Sequence, residues 1–546
     1  MKNFRVLICL LLFAASMPAV LAANLRPSPV RDADTVCARC HKRIYRSYLD
    51  TPMANASGLA MEKLRPGTFM QAASATEYKI SVRDNQGELS YQSLKDPSVG
   101  GRLPLSYFLG SGHLGTTFLY SVGEFLFESP IAWYTASQSY DMKPGLAELN
   151  EMPPPLPMQS GCLRCHMSAV QESDPGTINQ YRGLPFLDSG ITCEMCHGDA
   201  REHVASSGKV PVVDPTKLSP EARDSVCMSC HLEGDVSVSR AGHSPLNYRP
   251  GESISTYLAF FVRANANLTD RAVSEIEQLD QSTCKRVSGD RMSCMNCHDP
   301  HYTPDADHRV AFFRAKCLAC HNQPGFAETH HSENPDCTNC HMPGTGARNV
   351  LHVAWTDHRI RRVPEVKAHE PPLDQKGELT PIFSPHPSER DQAMAEYQAL
   401  MDGDRFREPV VWERLNSQRN ELTNDKDALD ALGNMEAERG KMKEAENEFR
   451  RVLELDRHDL TALSNLGVLL AKEGHLGESE ILLQQAFDRN QDISGLAMNL
   501  ARVQCITGHA AAARNTLSTA LIYCPNLTDM RRLLTQLDNC SAGSAK

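Results

Sequence analysis

Beyond its first 23 residues the chain has no run approaching the ~20 consecutive apolar residues that a membrane-spanning helix requires. It lacks basic blocks: 67 Asp and Glu stand against 56 Lys and Arg, a net charge of -11, which excludes a nucleic-acid partner. Aromatic residues are scarce, 6% with three tryptophans. Residues 30 to 362 contain few long amphipathic periods and many Gly and Pro. Such a chain struggles to build a side-chain core unaided.

The N-terminus carries Lys2 and Arg5, an apolar run from Val6 to Ala15 and small residues in VLAA at 20 to 23. Residues 1–23 therefore read as a secretory signal cleaved after Ala22 or Ala23. Cys9 lies inside the apolar run rather than at its end, so it is not read as a lipoprotein cysteine. The expectation is an exported, periplasmic or extracellular protein with no transmembrane span, open to peripheral association with a membrane redox complex.

Cysteine is what the chain has in plenty, nineteen in all. Fourteen fall in seven Cys-x-x-Cys-His pentapeptides: Cys37, Cys40 and His41; Cys162, Cys165 and His166; Cys193, Cys196 and His197; Cys227, Cys230 and His231; Cys294, Cys297 and His298; Cys317, Cys320 and His321; Cys337, Cys340 and His341. Chance would give about 0.03 such pentapeptides in a chain of this composition. Two cysteines three apart lie on one side of a helical turn and can form thioethers to haem vinyl groups, while the next imidazole drops onto the iron. Zinc ribbons and disulfide frameworks do not require a histidine after each pair. Seven covalently bound haem c groups are expected, with the seven histidines as proximal iron ligands. The porphyrins would supply the missing apolar volume, giving a haem-cored domain of short helices and long loops.

Vacant iron positions have an ample pool of second ligands: His113, His203, His243, His301, His308, His330, His331, His352, His358 and, further on, His369. Bis-histidine ligation is the expected rule. His203 and His301 follow attachment sites closely, in CEMCHGDAREH and CMNCHDPH, and His352 and His358 lie in LHVAWTDHRI after the last one. Two glycines before His113 would let backbone approach a porphyrin face. His330 and His331 are adjacent, so one of them is expected to ligate. Any of these histidines has the alternative of a propionate or solvent contact.

CxxCHxxxYxxxxxxxMAxxxG from Cys37, the CHG…H and CHDPH arrangements and TDHRI together resemble a family of exported multihaem cytochromes fused to tetratricopeptide repeats. More distantly they are similar to the tetrahaem cytochromes and the octahaem hydroxylamine oxidoreductase and tetrathionate reductase groups. The resemblance covers residues 34 to 362 and the C-terminal third. In such relatives a histidine often stands where this chain has Met53. A thioether at that iron would raise its potential relative to imidazole. Met53 is therefore a candidate distal ligand, against the alternatives of simple packing on a porphyrin face or a vacant iron.

TEYKISVRDNQGELSYQSL and YFLGSGHLGTTFLYSVGEFLFESPIAWYT read as strands, with a turn at Asn85 to Gly87, and predict a small β-rich insertion at about 70–145. The fold class expected is mainly α: a haem-cored domain over 24–362, a Pro-rich linker over 363–388 and a tetratricopeptide α-solenoid over 389–540. The solenoid rests on a period of 34 residues: Leu432-Gly433, Leu466-Gly467 and Leu500-Ala501; Gly440, Gly474 and Gly508; Ala445, Ser479 and Ala513; Phe449, Leu483 and Leu517. A disulfide between Cys524 and Cys540 is expected, with Cys505 as the alternative partner and the connectivity among the three left open, and Cys284 is expected as a buried thiol near a haem.

Electron transfer is the expected activity, with the repeat domain docking a redox protein or another copy of the chain. No Cys-x-x-Cys-Lys occurs, as in pentahaem nitrite reductases, nor a widely spaced cysteine pair like that of the sulfite reductases. An oxidoreductase acting on a small nitrogen or sulfur compound at one weakly ligated haem is the first alternative. A scaffold within a larger electron-transfer assembly is the second.

Overall fold

The computed structural model describes residues 27–264, 273–326, 330, 333–346, 354–362, 377–383, 387–537 and 540. The N-terminal signal, His331, His352 and His369 lie outside them, as do residues 363–376 of the expected linker.

Alternating burial builds a large sheet between the first and second pentapeptides. Its strands are β1 (Ser57–Leu59), β2 (Gly67–Gln71), β3 (Thr76–Arg83), β4 (Gln86–Ser93), β5 (Gly100–Leu109), β6 (Gly115–Val122), β7 (Phe125–Tyr134), β8 (Ser139–Met142) and β9 (Leu156–Pro157). Neighbours pair antiparallel from β2 through β7; β1 joins β5, and both β8 and β9 join the far edge of β7. Register shifts between Leu105 and Tyr107 and between Thr117 and Leu119 bend the sheet. It curls until β2 and β8 lie against each other, nearly closing a barrel. Tyr78, Ile80, Leu89, Phe118, Phe127 and Ile131 fill its interior.

This corrects the mainly α reading. The β-rich part is neither small nor confined to 70–145, because β1 and β9 extend it to residues 57 and 157. Both are short strands without periodicity of their own, and they pair only through tertiary contact. The hairpin between β3 and β4 turns at Asp84 and Asn85, whose φ angles of 49° and 61° suit a two-residue turn between Arg83 and Gln86. The expected turn was displaced toward Gly87, which instead lies within β4.

Beyond the barrel the pentapeptides sit on short helices and loops. Strands Val236–Ser239, Leu258–Arg263 and Leu379–Pro381 form a separate antiparallel sheet. The last of these falls within the stretch read as linker; Leu379 is buried there because it packs under the first helix of the C-terminal array.

That array comprises α1 (Glu389–Met401), α2 (Glu408–Ser417), α3 (Lys426–Glu438), α4 (Met442–Leu455), α5 (Leu460–Lys472), α6 (Leu476–Phe487), α7 (Ser494–Ile506), α8 (Ala510–Tyr523) and α9 (Thr528–Gln536). Asp425 and Asp459 cap α3 and α5 through the backbone N–H groups of Ala428 and Ala462. Gly440, Gly474 and Gly508 turn between paired helices at φ of 77°, 86° and 85°. Gly467 lets α5 and α6 touch, since a Cβ there would meet Leu483 Cγ at 2.7 Å.

The array is fastened to the rest of the chain at both ends. Arg263 pairs with Asp404, and Arg240 reaches Asp391 on α1. At the far end Asn526 donates to Tyr91 Oη on the barrel (2.8 Å), and Asn490 donates to the Gly176 carbonyl (2.9 Å). Tyr523 packs edge-on against Phe125.

Candidate haem-binding region

Each pentapeptide is placed by local helical geometry. The His N–H donates back to the carbonyl of the first cysteine at His41, His197, His298 and His321, over 2.8–3.0 Å. Both cysteines and the imidazole of such a site therefore share one turn. Capping starts several of these turns on time. Ser219 caps the helix Pro220–His231, Ser293 and Asn296 form a capping box before Cys294, and Asp336 caps Cys337–His341. All fourteen cysteines are free thiols, as thioether formation requires.

Thiols of different sites meet. Cys37 lies beside Cys193, Cys165 beside Cys230, Cys227 beside Cys294 and Cys317 beside Cys337. The first site, isolated in sequence, thus touches the third. Asp34 ties the same two sites by accepting from the Cys193 N–H (3.0 and 3.2 Å), and burial raises its carboxyl above the ordinary range. Asp34, Cys37 and Cys193 offer ligand atoms within 4.8 Å of one another, but both thiols belong to pentapeptides.

The imidazoles form pairs. Ring centroids are 6.2 Å apart for His41 and His203, 5.9 Å for His197 and His301, 6.2 Å for His298 and His358, and 6.2 Å for His330 and His341, with interplanar angles of 9–26°. A metal–imidazole bond of about 2.0–2.1 Å, plus about 1.1 Å from nitrogen to ring centre, places two trans ligands about 6.2 Å apart. The spacing fits one iron between each pair.

Second contacts orient these rings. Nδ1 of His197 meets the Val213 carbonyl at 2.8 Å, that of His203 meets Val210 at 2.7 Å, that of His341 meets Arg361 at 2.6 Å and that of His358 meets Thr356 at 2.8 Å. A carbonyl only accepts, so each Nδ1 carries the proton and Nε2 keeps its lone pair for a metal. Burial lowers the pKa of His166 and His301. Burial, reinforced by His358, pushes His298 down to about 4. Neutral imidazole, the ligating form, is thereby favoured.

The described side chains from residue 294 to 344 include none that is buried. Helix Ala306–Leu318 buries nothing even though it carries Phe312 and Phe313. A segment that folds yet fully buries none of its described side chains fits porphyrins as the missing core.

Four of the expected distal histidines, His203, His301, His330 and His358, stand in pairs. Three do not. His308 is exposed, its Nδ1 bonded to Asp305 Oδ1 at 2.7 Å; His113 is exposed at the tip of the β5–β6 loop; and His243 is exposed against Tyr257. The glycines before His113 serve the turn: a Cβ at Gly110 would strike the Gly115 carbonyl at 2.6 Å. The ring paired with His41 is that of His203 rather than the Met53 thioether expected as a candidate. It packs with Val30, Tyr48 and Ala54, and its carbonyl accepts from the Ile191 N–H at 3.1 Å. The helix Lys42–Tyr48 carries it away, while the turn after the third site brings His203 in.

Sequence reasoning missed the supports. Asp357, buried within TDHRI, holds Arg359 through three contacts of 2.7–3.1 Å. Gln278 accepts from the His358 N–H at 2.7 Å. Asp357 stood inside a recognised motif, but Gln278 is distant in sequence and carried no signal. Cys284 is partly buried, within electrostatic reach of Cys320. The disulfide joins Cys505 to Cys540, while Cys524 is buried with its Sγ on the Asp492 carbonyl.

Residues 133–198, which include the second and third pentapeptides, match the family model described as cytochrome c554 and c-prime. A curated relative, the multiheme cytochrome MtrA of Shewanella baltica (strain OS185), is 26% identical over 172 residues, 29% of this chain. The chain spans about half the length of that relative, 51%. Both matches support covalently bound haem c. Among solved structures, MamA from Desulfovibrio magneticus RS-1 is 16% identical over 28% of this chain and 85% of that chain, with a TM-score of 0.25. Pseudomonas aeruginosa pilF is 20% identical over 28% and 69%, also at 0.25.

Proposed function

We propose that this chain is an exported, periplasmic or extracellular heptahaem c-type cytochrome that carries electrons between proteins, its irons closed mostly by histidine pairs. The four imidazole pairs at iron-bridging distance carry this reading. Bound haem c supplies reversible one-electron chemistry at iron. The chain's own contribution is placement. Its cysteines would anchor each group, backbone carbonyls fix the imidazoles by Nδ1, and the fold brings the first and third, second and fourth, fourth and fifth, and sixth and seventh pentapeptides close together. Imidazoles fixed in place by backbone carbonyls would hold such a group without the chain rearranging, which suits a carrier.

The same pairs tie distant parts of the chain. His203 and His41, like His301 and His197, come from segments far apart in sequence. Among the described helices none is long and apolar enough to cross a membrane, in keeping with an export reading. The helical array, fastened at both ends, is the part we assign to docking a redox protein. Intact-mass measurement tests the count, with seven haems expected; fewer would remove the heptahaem reading. Low-temperature electron paramagnetic resonance tests the closure, with mainly low-spin ferric signals expected.

A second reading draws on His166. Among the described residues no imidazole is paired with it at this spacing, it is half-buried, and Glu128, His231 and Lys143 are its titratable neighbours. An oxidoreductase site would sit there. A high-spin signal abolished in His166→Ala, and shifted by added cyanide, would favour it over the carrier.

A further inference from the structure

The surface around the first pentapeptide is cationic, in a chain that carries -11 overall. Arg31, Arg39, Lys42, Arg43 and Arg46 are all exposed, against Asp32 and Asp50 on the same segment and Glu202 on the helix that carries His203. Asp34 does not offset them, because it is buried with its carboxylate on the Cys193 N–H. Elsewhere arginines are paired, as Arg201 is with Asp199, Arg223 with Asp224 and Arg359 with Asp357. Among the described residues none of the five has a carboxylate at ion-pair distance. The helix Lys42–Tyr48 presents three of them. It is pinned from behind: Tyr48 donates to the Ile191 carbonyl, and Ser47 donates to the His301 carbonyl (2.5 Å). Lys42 and Arg46 are four apart on it and Arg43 and Arg46 three apart, so these cations share one side, with Ile44 between them 42% exposed. Tyr45 Oη donates to the Arg31 carbonyl (2.5 Å) and draws Arg31 against the same helix. The patch also stands at an end of the row of sites. Among the described residues the cysteines of the first site lie beside those of the third, whereas the third also reaches the fourth through Cys196 and Cys230. Cys40 and His41 are exposed there.

We propose that this face docks an acidic one-electron protein and is where electrons enter or leave at the first site. The proposal rests on the carrier reading and goes beyond it by naming a docking face apart from the helical array and the charge of the partner it takes. A carrier needs two such faces, one toward its donor and one toward its acceptor. The net charge makes this one selective: an acidic protein is repelled by the chain as a whole and attracted where the cations cluster, which orients the encounter. A helix pinned from behind meets the partner without rearranging its backbone, and Ile44 gives the contact an apolar centre within a charged rim.

The test uses the full-length haem-loaded protein and two reductants of opposite charge, a plant-type ferredoxin as the acidic protein and the methyl viologen radical as a small cation. Binding of fluorescein-labelled ferredoxin is followed by anisotropy, and haem reduction by stopped-flow absorbance. Arg43→Glu with Arg46→Glu should weaken ferredoxin binding and slow reduction by ferredoxin about 10-fold at low salt, and should not slow the viologen. The loss should shrink as salt rises from about 10 mM, where the Debye length is about 30 Å, to about 150 mM, where it is about 8 Å. Lys79→Glu with Arg83→Glu, exposed on β3 of the barrel, makes the same change in net charge away from the patch and should leave ferredoxin nearly unaffected. Equal losses in the two double variants, or no loss in either, overturn the proposal and leave the carrier standing. So does co-sedimentation with phosphatidylglycerol vesicles that Arg43→Glu with Arg46→Glu abolishes while ferredoxin binding persists, which would assign the patch to a membrane surface. If neither reductant delivers electrons to the haems, the carrier reading itself falls.

Discussion

The region that carries the last three pentapeptides and the helical array are both built largely of helices, yet their interiors are opposites. In the array, Leu432, Leu466 and Leu500 are fully buried, as are Ala445, Ser479 and Ala513 facing them. From residue 294 to 344 no described side chain is fully buried. One region carries its core in its side chains; the other leaves a space that something covalent must fill. The contrast explains why a strict 34-residue pattern accompanies the first and a strict five-residue pattern the second.

The most drastic way to break this contrast is to withhold haem. In a host without the haem-attachment machinery, the segment from 283 to 362 is expected to lose its structure, whereas 389–540 keeps its helices. Limited proteolysis followed by mass spectrometry should find cleavage throughout the first and a protected fragment from the second. Protection of both would show that side chains alone support the haem region.

A smaller perturbation acts on the array alone. Cys505 and Cys540 close a loop of 35 residues, and Cys505→Ser should cost about 3–4 kcal/mol through the entropy of the unfolded chain. Urea unfolding followed by circular dichroism should show the loss in the helical transition, with haem absorbance unchanged.

Next comes Asp492, where the array meets the barrel. Burial pushes its carboxyl up to about 6 from 3.8, so the folded protein binds more protons than the unfolded one between those values. Stability therefore falls as pH rises from about 4 to about 6 and is level above. Asp492→Asn should gain up to about 3 kcal/mol at pH 7 and nothing near pH 4. Thermal melts at the two pH values distinguish this from a pH-independent packing effect. The gentlest change is Gly467→Ala, whose Cβ would meet Leu483 Cγ at 2.7 Å. It should destabilise the array by about 1–2 kcal/mol, again by urea unfolding and without spectral change at the haems.

Attachment sites and helical repeats were legible because their chemistry is local. The two cysteines and the histidine of a site lie within five residues, and Gly440, Gly474 and Gly508 mark turns that any reader of the period can place. The barrel was half legible. Tyr78, Ile80, Leu89 and Tyr91 alternate clearly, but β1 and β9 are short segments that become strands only beside β5 and β7. Distal ligands were legible as a surplus and not as assignments. His203 and His308 look alike in sequence; what separates them is a turn that directs one ring at His41 and a helix start that leaves the other on Asp305. Met53 drew attention because it stands where relatives often place histidine, yet its side chain packs against Tyr48. Cys505 rather than Cys524 pairs with Cys540 because Cys524 is turned inward to the Asp492 carbonyl.

The central claim is that the chain closes its irons by bringing together histidines far apart in sequence, and the first site tests it most directly. Near-infrared magnetic circular dichroism of the oxidised protein reports each iron's axial pair through its ligand-to-metal transitions. For His203→Ala the account predicts the loss of one bis-histidine site and the appearance of one high-spin or differently ligated site, with Met53→Ala leaving the spectrum as it was. A methionine–iron band in the unaltered protein that disappears in Met53→Ala, together with an unchanged His203→Ala spectrum, would contradict it.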